Sequence, residues 1–375
     1  MRTLERAKAA SRKHPQPAAG AGLRTFRDFC ETALYHPERG FYTQRRPTEH
    51  FYTAPELHPA FGWTLSRALA RWLDGLRSRN VPPPYTIVEM GSGAGLLTRR
   101  LREGLQRERP DLAADLCWVL VERSRGRLLE SLAGFDDIPG RVLGCEHLSE
   151  VPVCRGVFLS NELVDALPFH VLEKRDGRVR ELYADESGAP VLGELSTQAL
   201  APHAQALAQT LEEGQRHAVC LEARSWLGEV AGRLECGYLA TIDYGKRFAA
   251  GDVNAPRSYR RHTTSDRLLA DPGARDLTAP VDFSALIAEG EKLGLACASF
   301  TSMARFLLDC GLLDWLPAGS DAATVTDRAR LKTLVHPEGM GEAFKVLVQT
   351  KRIGGPGPAV PGGQAFSAPG GGGPC

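Results

Sequence analysis

Chemistry is most concentrated in Ile87-Val88-Glu89-Met90-Gly91-Ser92-Gly93-Ala94-Gly95-Leu96-Leu97-Thr98, where an apolar run ends in glycines at alternate positions. It passes straight into a segment with Arg99, Arg100, Leu101 and Leu105 that reads as a helix. Glycines at such a junction permit positive φ and close backbone approach, so a ligand can lie across the strand's C-terminal edge against the helix N-terminus. Their spacing selects the ligand class. A dinucleotide fingerprint needs glycine, or at least alanine, three residues after Gly93, where the pyrophosphate must fit and the helix must pack. Leu96 stands there, which disfavours an oxidoreductase using a nicotinamide cofactor.

Carboxylates supply the rest. Glu89 lies on the strand itself, and Glu-x-Gly-x-Gly-x-Gly with an acidic residue on the strand is the signature of Rossmann-like S-adenosyl-L-methionine-dependent methyltransferases. Val119-Leu120-Val121-Glu122 puts a second carboxylate at the end of the next strand, where it can accept both hydroxyl protons of a ribose. His147, after the third strand, falls where an adenine edge would be read. The fourth strand delivers Ser160-Asn161-Glu162-Leu163-Val164-Asp165. If the chain turns helical from Asn161, Glu162 and Asp165 are three apart on one face, with Asn161 as cap. Paired carboxylates there suit a cationic acceptor such as a guanidinium, or the proton lost on methylation.

The elements that must position these groups follow from periodicity. Thr86–Met90, Trp118–Val121, Arg141–Cys145, Gly156–Ser160 and Gly237–Asp243 read as strands, with helices over Leu96–Glu108 and Arg125–Leu132 between them. Continuously apolar strands suit a sheet covered on both faces, which predicts an α/β fold with a doubly wound, mostly parallel sheet. Phe26–Leu34 and Phe61–Arg77 predict helices in an N-terminal preamble that ends at Pro82-Pro83-Pro84. His170–Tyr183 predicts a hairpin about Asp176-Gly177 inside an inserted α+β subdomain, and Phe283–Leu293 a helix. The expected organisation is a basic disordered start over 1–22, a covering segment over 23–84 and a cofactor domain over 85–352. Insertions at about 170–236 and 247–281 interrupt that domain, and a charge-free Gly/Pro tail runs over 353–375.

Composition narrows the function. With Lys+Arg 46 against Asp+Glu 45 there is no general attraction to phosphate backbones, and no nucleic-acid partner is expected. The short basic run Arg257 to His262 reads as a solvated loop. No apolar run approaches the roughly 18 residues of a spanning helix. The nine cysteines show no zinc-site spacing, so no metal is expected, and free thiols in a reducing compartment are the simpler reading. The basic start fits a cytoplasmic protein of bacterial type, with a mitochondrial presequence as the alternative.

Taken together these residues resemble the MidA-like family of methyltransferases, whose mitochondrial members are arginine methyltransferases that assist complex I assembly. The likeness rests on Phe51-Tyr52-Thr53-Ala54-Pro55-Glu56-Leu57-His58-Pro59, the Glu89 to Gly95 loop, Val121-Glu122-Arg123-Ser124 and Asn161-Glu162-Leu163-Val164-Asp165-Ala166-Leu167-Pro168. It also rests on Ile242-Asp243-Tyr244-Gly245 and Asp276-Leu277-Thr278-Ala279-Pro280. It implies a class I methyltransferase core holding S-adenosyl-L-methionine at Glu89, Gly91, Gly93 and Gly95. The ribose would lie at Glu122 and the adenine by His147, with Thr53, Pro55 and Glu56 covering the cofactor. It implies a protein acceptor, an arginine oriented by Glu162 with Asp165 or Glu56 beside Asn161. The chain departs from the family pattern at Glu49-His50, Ala255-Pro256-Arg257, Pro280 and Thr301-Ser302, most of them in segments assigned to the acceptor side. Those departures set out the alternative, an assembly protein of the same fold that binds the cofactor without turnover.

Overall fold

The computed structural model describes residues 22–44, 53–114, 116–135, 141–260 and 263–353. The expectations for the two termini, for Phe51-Tyr52 and for Arg261-His262 concern residues outside these, apart from Gly22 and Ile353 at the edges.

A central sheet organises the molecule. Its strands run in the order Ala296–Ser302, Phe344–Lys351, Leu234–Lys246, Cys154–Asn161, Tyr85–Met90, Leu116–Val121, Arg141–Cys145. The last five are mutually parallel, and Phe344–Lys351 lies antiparallel to both of its neighbours. Side chains alternate between faces with the two-residue period of a strand. Ile87, Trp118, Val157, Leu159, Tyr238 and Ile242 pack on one side against the helices Ala60–Arg77 and Leu96–Glu108. Val88, Met90, Val119, Phe158 and Leu239 pack on the other against Leu221–Arg233 and Phe283–Lys292. Both faces are therefore buried, which is why the strands read as continuous apolar runs. The Ala60–Arg77 helix, expected as part of a preamble, lies directly on this core: Phe61, Leu65, Leu69, Trp72 and Leu73 are all buried in it.

Two smaller sheets accompany the central one. Five antiparallel strands include the hairpin His170–Arg175 and Arg178–Ala184, turning through Asp176 and Gly177 at φ 53° and 71°, and they recruit Arg24–Thr25 from the N-terminal side. Positive φ at both central residues matches the right-handed twist of the paired strands. Arg257–Arg260, Thr263–Ser265 and Asp276–Thr278 form a third, three-stranded sheet. The Ala296–Ser302 strand carries a weak apolar pattern and is an element that periodicity alone does not announce.

Strand order reverses at Tyr85–Met90, whose neighbours on its two sides are reached by connections running in opposite directions. A ligand crevice forms outside the C-terminal ends of the strands at such a point. Gly91, Glu122 and Asn161 all leave the sheet there.

Candidate functional site

A cavity of about 530 Å³ fills this crevice. Its floor is the glycine loop, held down by Gly91 N and Ser92 N donating to Val121 O at 2.8 and 3.1 Å. Gly91 and Gly93 adopt φ of 69° and 53°. A Cβ on Gly91 would stand 2.9 Å from Leu163 Cδ1, whereas one on Gly93 would meet nothing within 4 Å and would project into open space beside the cavity. Gly95, at φ 72°, opens the helix Leu96–Glu108. Glu89 lies beneath, its Oε2 accepting Thr98 N at 3.0 Å and the Thr98 hydroxyl, so it ties the strand to the first turn of that helix.

Glu122 forms one wall, its Oε2 accepting Gly93 N at 3.0 Å and its Oε1 accepting Ser124 N at 2.8 Å. One hydrogen bond per oxygen leaves each with further acceptor capacity. His147 is exposed at the rim, beside Leu148. Thr53, Pro55 and Glu56 line the opposite side, and Thr53 N donates to Glu56 Oε2 at 3.2 Å, the return bond of a capping box on the short helix Ala54–Leu57.

The helical turn expected from Asn161 is not formed. The chain continues as irregular backbone through Leu167, Glu162 takes φ 52°, and the two carboxylates diverge. Glu162 lines the cavity, its Oε1 accepting Ala54 N and Asn161 Nδ2, both at 3.2 Å. Asp165 is not among the described lining residues and turns instead toward Thr278 Oγ1 (3.4 Å) and Asp243. The neighbouring strand holds the segment in this course: Glu162 N is taken by Ile242 O (3.0 Å), and Val164 N, which a helix would have turned to the Asn161 cap side chain, by Asp243 Oδ2 (2.8 Å).

Four side chains around the site have no signature of their own in the sequence or stand in a quoted block without a role. Tyr35 and Tyr42 line the cavity as a stacked pair, ring centroids 5.6 Å apart. Tyr42 Oη donates to Asp276 Oδ1 at 2.9 Å and Tyr35 Oη to Ala166 O at 2.7 Å, while the Arg123 guanidinium lies 4.6 Å from the Tyr35 ring centre. Asp243 and Asp276 are both buried. An acidic residue at the end of an apolar strand or inside a short apolar segment was the available signal for these two.

Burial dominates the electrostatics. It pushes Glu162 up to about 8, with the Asp165 charge adding to the effect. Glu89 rises to about 7 by burial, against the opposing bonds from Thr98, and Asp276 to about 7 by burial and then Asp165. Asp165 and Asp243, in contact with one another, are both pushed upward by burial. Unfolded carboxylates release their protons near pH 4. Between that value and the raised ones the folded protein holds protons the unfolded chain has lost, so stability falls as pH rises. The ligand-free protein should therefore show a denaturant midpoint that declines steadily from pH 5 to pH 8.5; a midpoint constant or rising over that range would contradict the protonated, buried state of these groups.

The donor set fits a nucleoside linked to an amino acid. Open space at Gly93 admits a chain across the loop, and Glu122 can take hydroxyl protons. Ser92 Oγ and Asn161 Oδ1 are buried atoms without a hydrogen-bond partner among the described residues, and both residues line the cavity. No group of His, Cys, Asp and Glu among the described residues could hold a metal ion, and no described helix is long and apolar enough to cross a membrane.

Known proteins with this pattern agree. Residues 64–301 match the model of a family described as "Putative S-adenosyl-L-methionine-dependent methyltransferase". The mitochondrial protein arginine methyltransferase NDUFAF7 of Mus musculus is 26% identical over 359 residues, 85% of this chain and 79% of the mouse protein. Its Drosophila melanogaster homolog is 25% identical over 359 residues, 85% and 80% of the two chains. A crystal structure of a Burkholderia thailandensis protein bound to S-adenosyl-homocysteine superposes with a TM-score of 0.75 at 29% identity, covering 90% of each chain.

Proposed function

We propose that this chain, which belongs to the S-adenosyl-L-methionine-dependent methyltransferase family, transfers its methyl group to a protein arginine side chain. It is a methyltransferase and its cofactor is S-adenosyl-L-methionine. The observation that carries the acceptor is that, among the described residues, no lysine or arginine pairs with the carboxylates at the Glu162 end of the cavity. Glu162 lines the cavity and Asp165, Asp243 and Asp276 cluster next to it without lining it; among the described residues the hydrogen bonds the four accept come from backbone N–H groups, an amide, a threonine and a tyrosine. Buried carboxylates without a cation are costly, and a guanidinium, cationic and rich in N–H donors, relieves that cost. The relatives' name as arginine methyltransferases supports the same acceptor.

The bound cofactor supplies a methyl already activated on a sulfonium. The protein's contribution is then placement. In this reading Gly91, Gly93 and Gly95 admit the cofactor chain, with Glu89 bracing the loop from below. Glu122 holds the ribose hydroxyls, His147 flanks the adenine, and Asn161 Oδ1 accepts from the amino-acid end. Thr53, Pro55 and Glu56 cover the cavity and exclude water, which strengthens every charge interaction inside it. Glu162 orients the guanidinium from its carboxylate and takes up the proton that the nitrogen sheds as it is alkylated. Asp165, turned away from the cavity, acts on Glu162 by its charge. Of the two locations expected from the sequence, the relatives' mitochondrial names favour the organellar one.

The test is incubation of the purified protein with isotope-labelled cofactor and a cell proteome, read by mass spectrometry. Methylarginine that disappears with Glu162→Gln supports the reading. Label confined to residues other than arginine would remove it.

A further inference from the structure

Loop residues that do chemistry need something rigid to hold them, and the segment carrying Glu162 has no regular structure of its own. Its buried amides must still find acceptors. They find them on one neighbouring strand, Leu234–Lys246, which pairs in parallel with Cys154–Asn161 up to Ile242 and Asn161. Ile242 O accepts Glu162 N at 3.0 Å. Asp243 Oδ2 then accepts Val164 N at 2.8 Å and Asp165 N at 3.4 Å, while its Oδ1 accepts Tyr244 N at 2.9 Å. The side chain is fully buried. Two outer ties complete the arrangement, Thr278 Oγ1 on Asp165 O at 3.2 Å and Tyr35 Oη on Ala166 O at 2.7 Å.

We propose that Asp243 is a positioning residue for methyl transfer, fixing through its carboxylate the backbone on which Glu162 is presented to the acceptor. The inference rests on the acceptor role given to Glu162 above. Glu162 sits at φ 52°, a conformation that a side chain other than glycine keeps only where its surroundings over-determine it. The clamp on Val164 and Asp165 immediately downstream, with Ile242 O upstream, supplies that determination. Both side-chain oxygens at position 243 accept, one from Val164 N and the other from Tyr244 N, which a carboxyl group can do in either protonation state. An asparagine would have to turn an N–H₂ group onto one of those donors.

The experiment uses the full chain with Asp243→Asn, Glu162→Gln and the double variant. Hydrogen exchange read by mass spectrometry should show the 161–167 segment of Asp243→Asn exchanging about tenfold faster, with the 85–95 segment unchanged. S-adenosyl-homocysteine affinity, by calorimetry, should stay within about threefold, while kcat on an arginine peptide falls about 100-fold, the scale of a small misplacement. Because Asp243 acts through Glu162, the double variant should be no slower than Glu162→Gln alone, whereas a general structural defect would add its own loss. Wild-type exchange in the loop, or a further large loss in the double variant, overturns the proposal. Should Asp243→Asn not fold, Thr278→Val removes one outer tie and carries the same loop readout, faster exchange supporting the clamp and unchanged exchange overturning it. A wild-type protein that fails to methylate arginine removes the acceptor reading, while the loop-exchange result still decides whether Asp243 holds the segment.

Discussion

Glu162→Gln is expected to lower kcat by about 10³-fold, near the middle of the range for a positioned acid or base, with cofactor affinity changed by less than about threefold. The substitution is informative because it leaves the loop intact. Glutamine Oε1 can still accept Ala54 N and Asn161 Nδ2, as the native oxygen does at 3.2 Å to each. What changes is the other atom, which becomes an N–H donor facing a guanidinium that offers only donors. Both the orientation of the acceptor and the destination of its proton are lost together. The pH dependence should move with it. In the wild type kcat/KM should rise with pH through a midpoint near 8, where Glu162 ionises in the free enzyme, and level off above it. In kcat the same limb should lie at lower pH, because a bound guanidinium favours the carboxylate. Retention of wild-type kcat by the glutamine variant would remove Glu162 from the chemistry.

Glu122→Ala is expected to weaken S-adenosyl-homocysteine binding by about 10³-fold in calorimetry, from two charge-assisted hydrogen bonds of roughly 1.5–3 kcal/mol each. In the proposed reading the carboxylate touches the ligand and also organises its wall of the cavity. It gathers Gly93 N and Ser124 N, at 3.0 and 2.8 Å, from the two loops that follow the first two parallel strands. Glu122→Gln should recover only part of the loss, because its amide nitrogen must confront one of those two donors. At saturating cofactor kcat should fall far less than in Glu162→Gln, since this wall lies away from the Asn161–Glu162 end. Undiminished affinity in both Glu122 variants would falsify the ribose assignment.

Much of the fold was legible in the sequence. The helix over Leu96–Glu108 and the strand over Arg141–Cys145 appear with the bounds that periodicity predicts, and the other parallel strands differ by one to three residues at an end. Strands buried on both faces write unbroken apolar runs, and glycines at Gly91, Gly93 and Gly95 announce positive φ, so local chemistry alone carries that information. The Ala296–Ser302 strand was less legible, being partly exposed and interrupted by small polar residues.

The sequence by itself determined that the glycine loop and Glu122 meet at one crevice, because they belong to consecutive strand ends whose relation follows from a parallel sheet. The acceptor half was decided by tertiary structure. Nothing local to Asn161–Asp165 forbids a helical turn, and a helix would have presented Glu162 and Asp165 as a pair. Ile242 O and Asp243, some eighty residues downstream, take the Glu162 and Val164 amides and hold the segment against their own strand. Buried amides must find acceptors, and those offered by a neighbouring strand fix a course that separates the two carboxylates. It leaves Glu162 facing the cavity and draws Asp165 toward Asp243 and Thr278.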